Sequence, residues 1–283
     1  MFPILLKLGP ITLYSYGLMM ALGFVAADLI TASECRRRGI TPEYASSLVL
    51  WAALAGLVGA RLWDIWDNFP IYMQHPWSIV FSGAGFVWYG GFVGGAVAVY
   101  LVARRYGIRF LTTADMAAPA ILVGHAFGRM GCLLSGDGDW GLPTKMPWGM
   151  AYPNAIVGWN ADTVLKLNAK GQLVSGYFPG VRVHPTPIYE AVLYVAIFAF
   201  LWSIRKRTRV EGRIFYLFLI LAGGARFLVE FWRINPRVLW GMSEYQLFSI
   251  LMMAVGTAAY LFTLNRQPET ASSKATSKEA LRA

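Results

Sequence analysis

Apolar residues run along this chain in blocks separated by short polar junctions, and block length is the first informative quantity. Blocks at 11–31, 46–64, 85–103, 113–134, 188–204, 213–231 and 243–263 each approach the roughly 20 residues that a helix needs to cross hydrocarbon. Bilayer interiors offer no water to unpaired backbone groups, so spans of this length are expected to be helical. The pattern predicts an all-α, polytopic membrane protein of about seven transmembrane helices, with residues 1–265 forming a single membrane domain. Within it, the longest connection, 135–187, contains "WGLPTKMPWGMAYPN" at 140–154. Its prolines, glycines and aromatics predict an ordered, interface-lying head. The closing "RQPETASSKATSKEALRA" at 266–283 has few bulky apolar residues and is expected to be a disordered tail.

Composition agrees with this division: 57% of the 283 residues are hydrophobic and 14% are charged, against about 25% charged in an ordinary soluble domain. The net charge of +10 does not argue for nucleic acid, because Lys and Arg gather in the junctions. Arg36, Arg37 and Arg38 follow the first span, Arg104, Arg105 and Arg109 the third, Arg205, Lys206, Arg207, Arg209 and Arg213 the fifth, and Arg266, Lys274, Lys278 and Arg282 the seventh. Alternating spans put all four clusters on one side. The positive-inside rule makes that side cytoplasmic, with the N-terminus and the 135–187 head outside and the C-terminus inside. Only Lys7 precedes the first apolar run and no convincing cleavage site follows it, so a retained first helix is expected. Cys35 and Cys132 are too isolated to predict a disulfide or a metal cluster.

Ionisable residues inside apolar spans need a partner, a wet cavity or a ligand. Arg61, Arg129 and Arg226 lie in or at the ends of the second, fourth and sixth spans, toward the side opposite the basic junctions. Structural ion pairing accounts for them, and so does capture of a phosphate, which a guanidinium grips through several fixed donors. Arg226 and Glu230 in "GGARFLVEFWR" stand at i,i+4 and can pair; His125 stands four residues before Arg129 on the same helix face. Tyr89 in "GFVWYGGFVGG" and Tyr16 in "TLYSYGLM" are interfacial anchors by default, each with a hydroxyl able to orient a substrate. Gly90, Gly91, Gly94 and Gly95 thin the third span for a neighbouring helix or an acyl chain. In "GRMGCLLSGDGDW" at 128–140, Gly128 and Gly131 let backbone donors approach a ligand beside Arg129. Asp137 is expected to hold an arginine, bond a glycerol hydroxyl or shape the loop, and Asp139 to be solvated. His184, Tyr189 and Glu190 in "HPTPIYE" are read as architecture at the start of the fifth span.

These motifs, taken in order, resemble bacterial prolipoprotein diacylglyceryl transferase: "YSYGLMMALGF", Arg61 in "GLVGARL", "YGGFVGG", "GRMGCLLSGD", "GLPTKMPWGMAYP", "HPTPIYE" and "GGARFLVEFWR". The resemblance implies a seven-span enzyme of the bacterial cytoplasmic (inner) membrane, reacting toward the extracytoplasmic face. It implies transfer of the diacylglyceryl group of phosphatidylglycerol to the lipobox cysteine of a prolipoprotein, with a thioether formed and glycerol phosphate released. No metal or other cofactor and no nucleic acid enter that reaction. Carried over residue by residue, it implies that Arg129 and Arg226 hold phosphate and that Tyr16, Tyr89 and Asp137 orient the glycerol or the incoming cysteine. His125 is a candidate base on the residue reading alone. Arg61, Glu230, Gly90, Gly91, Gly128, Gly131 and Gly141 complete the expected binding set. The chain departs from the family pattern at three places: Cys132-Leu133 replaces Asn-Phe, Asp137 replaces Glu with one extra residue before Gly141, and Tyr89 replaces the histidine that precedes the paired glycines.

Two other readings fit the same residues. A transporter for an anionic lipid or phosphorylated metabolite also needs buried arginines, although no duplicated half is visible. A lipid-binding protein that has lost transfer activity is compatible with Tyr89 and the altered signature.

Overall fold

A computed structural model describes residues 1–9, 11–74, 87–159, 181–208 and 210–264. The first residues of the expected third span, the middle of the expected head at 160–180 and the tail at 266–283 lie outside the described residues.

The chain begins with an antiparallel hairpin of β1 (Ile4–Leu8) and β2 (Ile11–Tyr14), with Lys7 opposite Thr12 and Ile4 opposite Tyr14. This corrects the expected start of the first span: 11–14 is extended, and helix α1 runs from Ser15 to Arg38. Period-2 pairing with 4–8 across a turn at Gly9 (φ +59°) takes up backbone groups that the hydropathy window assigned to a helix. Beyond α1 come α2 (Pro42–Asp67), a short α3 (Phe69–Gln74), α4 (Trp88–Arg105), α5 (Phe110–Ser135), α6 (Thr186–Ile204), α7 (Arg213–Val229) and α8 (Glu244–Leu264). A single 3-10 turn, Glu230–Trp232, extends α7.

Among the described residues, six helices are long and apolar enough to cross a membrane: α1, α2, α5, α6, α7 with its 3-10 turn, and α8. The chain is therefore a polytopic, predominantly α-helical membrane protein. Helix α4 occupies the place of the remaining expected span but is less apolar, with Trp88, Tyr89 and four glycines toward one end and Arg104 and Arg105 at the other. Large apolar side chains such as Leu50, Leu54, Leu57 and Val58 on α2, and Leu251, Val255 and Phe262 on α8, point outward. Outward-facing apolar side chains suit a solvent of lipid tails.

The helices form two compact units, Phe24–Ala117 and the rest of the chain. In the first, α2 and α4 touch backbone to backbone: a Cβ on Gly90 would strike the carbonyl oxygen of Gly59 and lie 2.6 Å from Cβ of Trp63. Tyr44, Cys35 and Met116 fill the core there, and the Tyr44 hydroxyl meets Thr113 Oγ1 at 2.6 Å. In the second unit α5, α6 and α7 share a core of Leu122, Ala126, Tyr194, Leu201 and Phe218. Helix α8 seats on α7 where Gly223 meets the Ser249 carbonyl and Gly256 the Tyr216 carbonyl, both 3.0 Å from a would-be Cβ. The N-terminus of α8 is closed reciprocally, with Ser243 Oγ accepting from Gln246 N–H (3.3 Å) and Gln246 Oε1 accepting from Ser243 N–H (3.2 Å).

Candidate active site

Helix direction gathers the site in the second unit. The C-terminal end of α5, the N-terminal end of α6, the C-terminal end of α7 and the N-terminal end of α8 fall at one end of the unit, and each brings charged or polar side chains. Arg129 comes from the last two turns of α5, Glu190 from the first turns of α6, Arg226 from the last turn of α7, and Glu230 and Arg233 from the 3-10 turn and its exit.

Glu190 is completely buried and is the hub. Its two oxygens pair with Arg129 Nε and Arg226 Nη1, and Arg233 Nη1 lies 3.4 Å from Oε1. Arg226 Nη2 reaches Glu230 Oε2 at 2.9 Å, which is the expected i,i+4 pair, and its guanidinium also sits 4.7 Å above the Tyr245 ring. Glu230, equally buried, accepts from Asn235 Nδ2 and Ser243 Oγ, both at 2.7 Å. Asp139 closes the ring: Oδ2 pairs with Arg129 Nη1 and Oδ1 with Arg233 Nη2 at 2.5 Å. Three guanidiniums thus face three carboxylates in an otherwise apolar bundle. Asp139 is therefore not simply solvated, as its place in the loop suggested, although its side chain keeps 33% of its exposure against 0% for Glu190 and Glu230.

The loop after α5 is shaped to deliver Asp139. Gly136 and Gly138 adopt left-handed φ of +63° and +94°, which L side chains rarely adopt, and the Cα of Ala155 would lie 2.7 Å from a Cβ on Gly136. Trp140, with Tyr152, Val183 and Leu133, buries the root of the head. Gly141 bridges Arg233 in an antiparallel contact, donating its N–H to His184 O at 2.8 Å, while Leu142 N–H donates to Trp232 O at 2.7 Å. A Cβ at Gly141 would collide with the Trp232 carbonyl and with Thr186 and His184, so this glycine serves the close approach that places Arg233. Thr186 Oγ1 fastens the Asp139 carbonyl at 2.7 Å. Burial would raise the Asp139 carboxyl, but Arg233 and Arg129 outweigh it and hold it down at about 2. Asp137 goes the other way: burial first, then the neighbouring Asp139, push its carboxyl up.

Asp137 thus makes no ion pair with an arginine among the described contacts; Oδ1 instead accepts the Asp139 N–H at 3.2 Å, forming a local turn. Cys132 Sγ and the carboxylates of Asp137 and Asp139 lie within 4.8 Å of one another. That is the spacing of a cation site, but Asp139 is already claimed by two guanidiniums whose charge repels a metal ion. Tyr16 packs on Gly131, whose would-be Cβ lies 3.1 Å from its ring, so the glycine brings the start of α1 against α5. Among the described residues, a Cβ at Gly128 would meet only Met20 Sδ, at 4.0 Å. His125 directs Nδ1 at the Ile121 carbonyl (3.3 Å) and its ring at Tyr194.

Arg61, Tyr89, Gly90 and Gly91 belong to the other compact unit. Arg61 lies 3.7 Å from Asp64 Oδ2 and donates to the Tyr72 hydroxyl at 3.4 Å. Tyr89 stands between the rings of Trp63 and Trp88. Gly90 and Gly91 both face α2, Gly91 with the Gly56 carbonyl 3.4 Å from a would-be Cβ.

Glu190 and Arg233 are the members that the sequence reading passed over. The signal for Glu190 was present, because it is an ionisable residue in an apolar span, the same feature that singled out the arginines. Its position in the first turns, where acids suit the helix dipole, gave a sufficient local explanation and hid it. Arg233 sits just beyond the span, where a cation is unremarkable, and only the Gly141 bridge turns it inward.

The sequence of this chain matches the family model described as "Prolipoprotein diacylglyceryl transferase" over residues 3–262. It is 30% identical over 267 residues to the phosphatidylglycerol–prolipoprotein diacylglyceryl transferase of Clostridium tetani, covering 93% of this chain and 98% of that protein. The proteins of the same name from Bordetella parapertussis and Geobacter sulfurreducens are each 32% identical over 276 residues, covering 92% and 94% of this chain and 95% and 96% of theirs. A membrane bundle that encloses arginines at one end, together with matches spanning nearly its whole length, shows that the chain belongs to the prolipoprotein diacylglyceryl transferase family.

Proposed function

We propose that the protein transfers the diacylglyceryl group of phosphatidylglycerol to the lipobox cysteine of a prolipoprotein, with Arg129 and Arg226 as the principal phosphate-handling pair. The observation that carries this reading is the enclosed cluster of Arg129, Arg226 and Arg233 around Glu190 at the end of an apolar bundle. In the reaction the substrate sulfur forms a C–S bond to the glyceryl carbon as the C–O bond to phosphate breaks. The glycerol phosphate leaves with the electron pair, and the thiol proton passes to the candidate base His125 or to solvent. Guanidiniums fixed beforehand by Glu190 and Glu230 meet the developing phosphate charge without reorganising, which is where electrostatic catalysis gains most.

Tyr16 and Asp137 lie at the same end as Arg129, and their polar atoms suit the glycerol hydroxyls or the incoming thiol. His125, one helical turn from Arg129, is the candidate base. Glu230 orients Arg226, while Gly128, Gly131 and Gly141 set the backbone around the arginine cluster. Arg61, Gly90 and Gly91 enter on the family motif alone, and Tyr89 on its place in that motif, where the family carries histidine. A Tyr hydroxyl at position 89 donates a hydrogen bond, but with a reference pKa of about 10 it is a poor proton acceptor near neutrality. The basic junctions support a seven-span arrangement in the cytoplasmic membrane, N-terminus outside and C-terminus inside, with the arginine cluster facing the extracytoplasmic side.

The test is direct. Purified protein in phosphatidylglycerol vesicles is incubated with a lipobox peptide and its Cys→Ala counterpart, and both are weighed by mass spectrometry. The expected result is a diacylglyceryl increment on the cysteine peptide only; no increment with fully folded protein would leave lipid binding or transport as the better reading.

A further inference from the structure

Every guanidinium in the cluster is already paired, so an incoming phosphate meets no vacant cation. Arg129 holds Asp139 and Glu190; Arg226 holds Glu190 and Glu230; Arg233 touches all three carboxylates. A phosphate reaches Arg226 through the N–H donors that its two carboxylate pairs leave over, but to be gripped by Arg129 and Arg233 it must displace a carboxylate, and the three are not equivalent. Glu190 and Glu230 are fully enclosed, Glu190 by three arginines and Glu230 by Asn235 and Ser243 in addition. Asp139 alone is partly exposed, and it presents two oxygens to two guanidiniums from different elements, as two phosphate oxygens would.

We propose that Asp139 is a resident stand-in for the substrate phosphate: its carboxylate bridges Arg129 and Arg233 until an anionic headgroup displaces it, and it thereby sets the threshold for headgroup binding. The inference rests on the function proposed above and adds Arg233 to the groups that receive the phosphate. The backbone supports an exchange by side-chain rotation. Its carbonyl is held by Thr186 Oγ1, its N–H by Asp137 Oδ1, and the next residue, Trp140, is buried, so the loop stays anchored when the carboxylate swings out. Because Arg233 and Arg129 keep the carboxyl ionised down to about pH 2, release comes by competition with another anion and not by protonation.

The experiment compares wild type, D139N, D139S and D139E in detergent for calorimetric binding of glycerol 1-phosphate, and in phosphatidylglycerol vesicles for KM and kcat of peptide transfer. Removing an internal competitor equivalent to one charge-assisted pair is expected to tighten glycerol phosphate binding roughly tenfold in D139N and D139S and to lower KM for phosphatidylglycerol, with D139E near wild type. Unchanged or weaker binding in the neutral variants overturns the proposal and makes Asp139 a structural clamp. Failure of both neutral variants to fold overturns it as well, since the loop anchors should hold without the carboxylate. If glycerol phosphate binding tightens but no variant, wild type included, transfers lipid, the proposed reaction fails while the role of Asp139 stands.

Discussion

Glu190 has the environment that makes a single residue decisive: no exposure, and three guanidiniums on its two oxygens. Burying an ion is costly, and it is tolerated here because the charges balance locally. Replacing Glu190 with Gln keeps the shape and removes the charge, leaving Arg129, Arg226 and Arg233 with Asp139 and Glu230 alone. Breaking a buried pair from one side typically costs about 3–5 kcal/mol, so E190Q should unfold at clearly lower temperature in detergent. A melting temperature equal to wild type would show that the cluster is held by packing. The same residue shows where sequence reading stops. The i,i+4 rule yields Arg226–Glu230 because both ends lie on one helix, whereas Glu190 reaches partners 61, 36 and 43 positions away, and no local period encodes that distance.

At the scale of elements, the spans were legible because apolar block length is a strong signal, and their ends were not. α2 and α5 extend beyond their hydrophobic blocks to Pro42–Asp67 and Phe110–Ser135, since polar residues at a membrane interface continue a helix without registering as apolar. The strand at Ile11–Tyr14 was absorbed into a span because its partner, Ile4–Leu8, lies outside the window that judged it. The glycines of the third block left two readings, helix packing and acyl-chain contact, and α4 uses Gly90 for packing on α2. This yields a graded expectation. G90A forces a methyl into the Gly59 carbonyl and Trp63 Cβ, and overpacking of this kind costs about 1–3 kcal/mol. G95A meets nothing closer than the Ala52 carbonyl at 3.6 Å and removes a helix-weakening glycine, so its stability should match or exceed wild type. Equal melting temperatures for the two variants would mean that α2 and α4 are not tightly apposed.

For the whole molecule, sidedness and span number can be decided together. Lys145 precedes α6 and Lys206 follows it, so one crossing separates them, and in the orientation proposed above the basic residues beside Lys206 lie in the cytoplasm. Thr41, between α1 and α2, is separated from Lys145 by α2, α4 and α5. If α4 crosses, three crossings put Thr41 and Lys145 on opposite sides; if it does not, two put them on the same side. The charge pattern favours crossing, because a non-crossing α4 would leave either Arg36–Arg38 or Arg104, Arg105 and Arg109 on the outer face. Single cysteines in place of Lys145, Lys206 and Thr41, all three exposed, are to be treated in intact cells with a membrane-impermeant maleimide. The native Cys35 and Cys132 are buried and contribute little background. Labelling at 145 alone before permeabilisation, and at all three after it, is the expected outcome. It would place the end of the bundle that carries Arg129, Glu190 and Arg226 on the extracytoplasmic face. Labelling at 145 and 41 together would remove α4 from the spans, and labelling at 206 without 145 would invert the protein and move the arginine cluster to the cytoplasmic side.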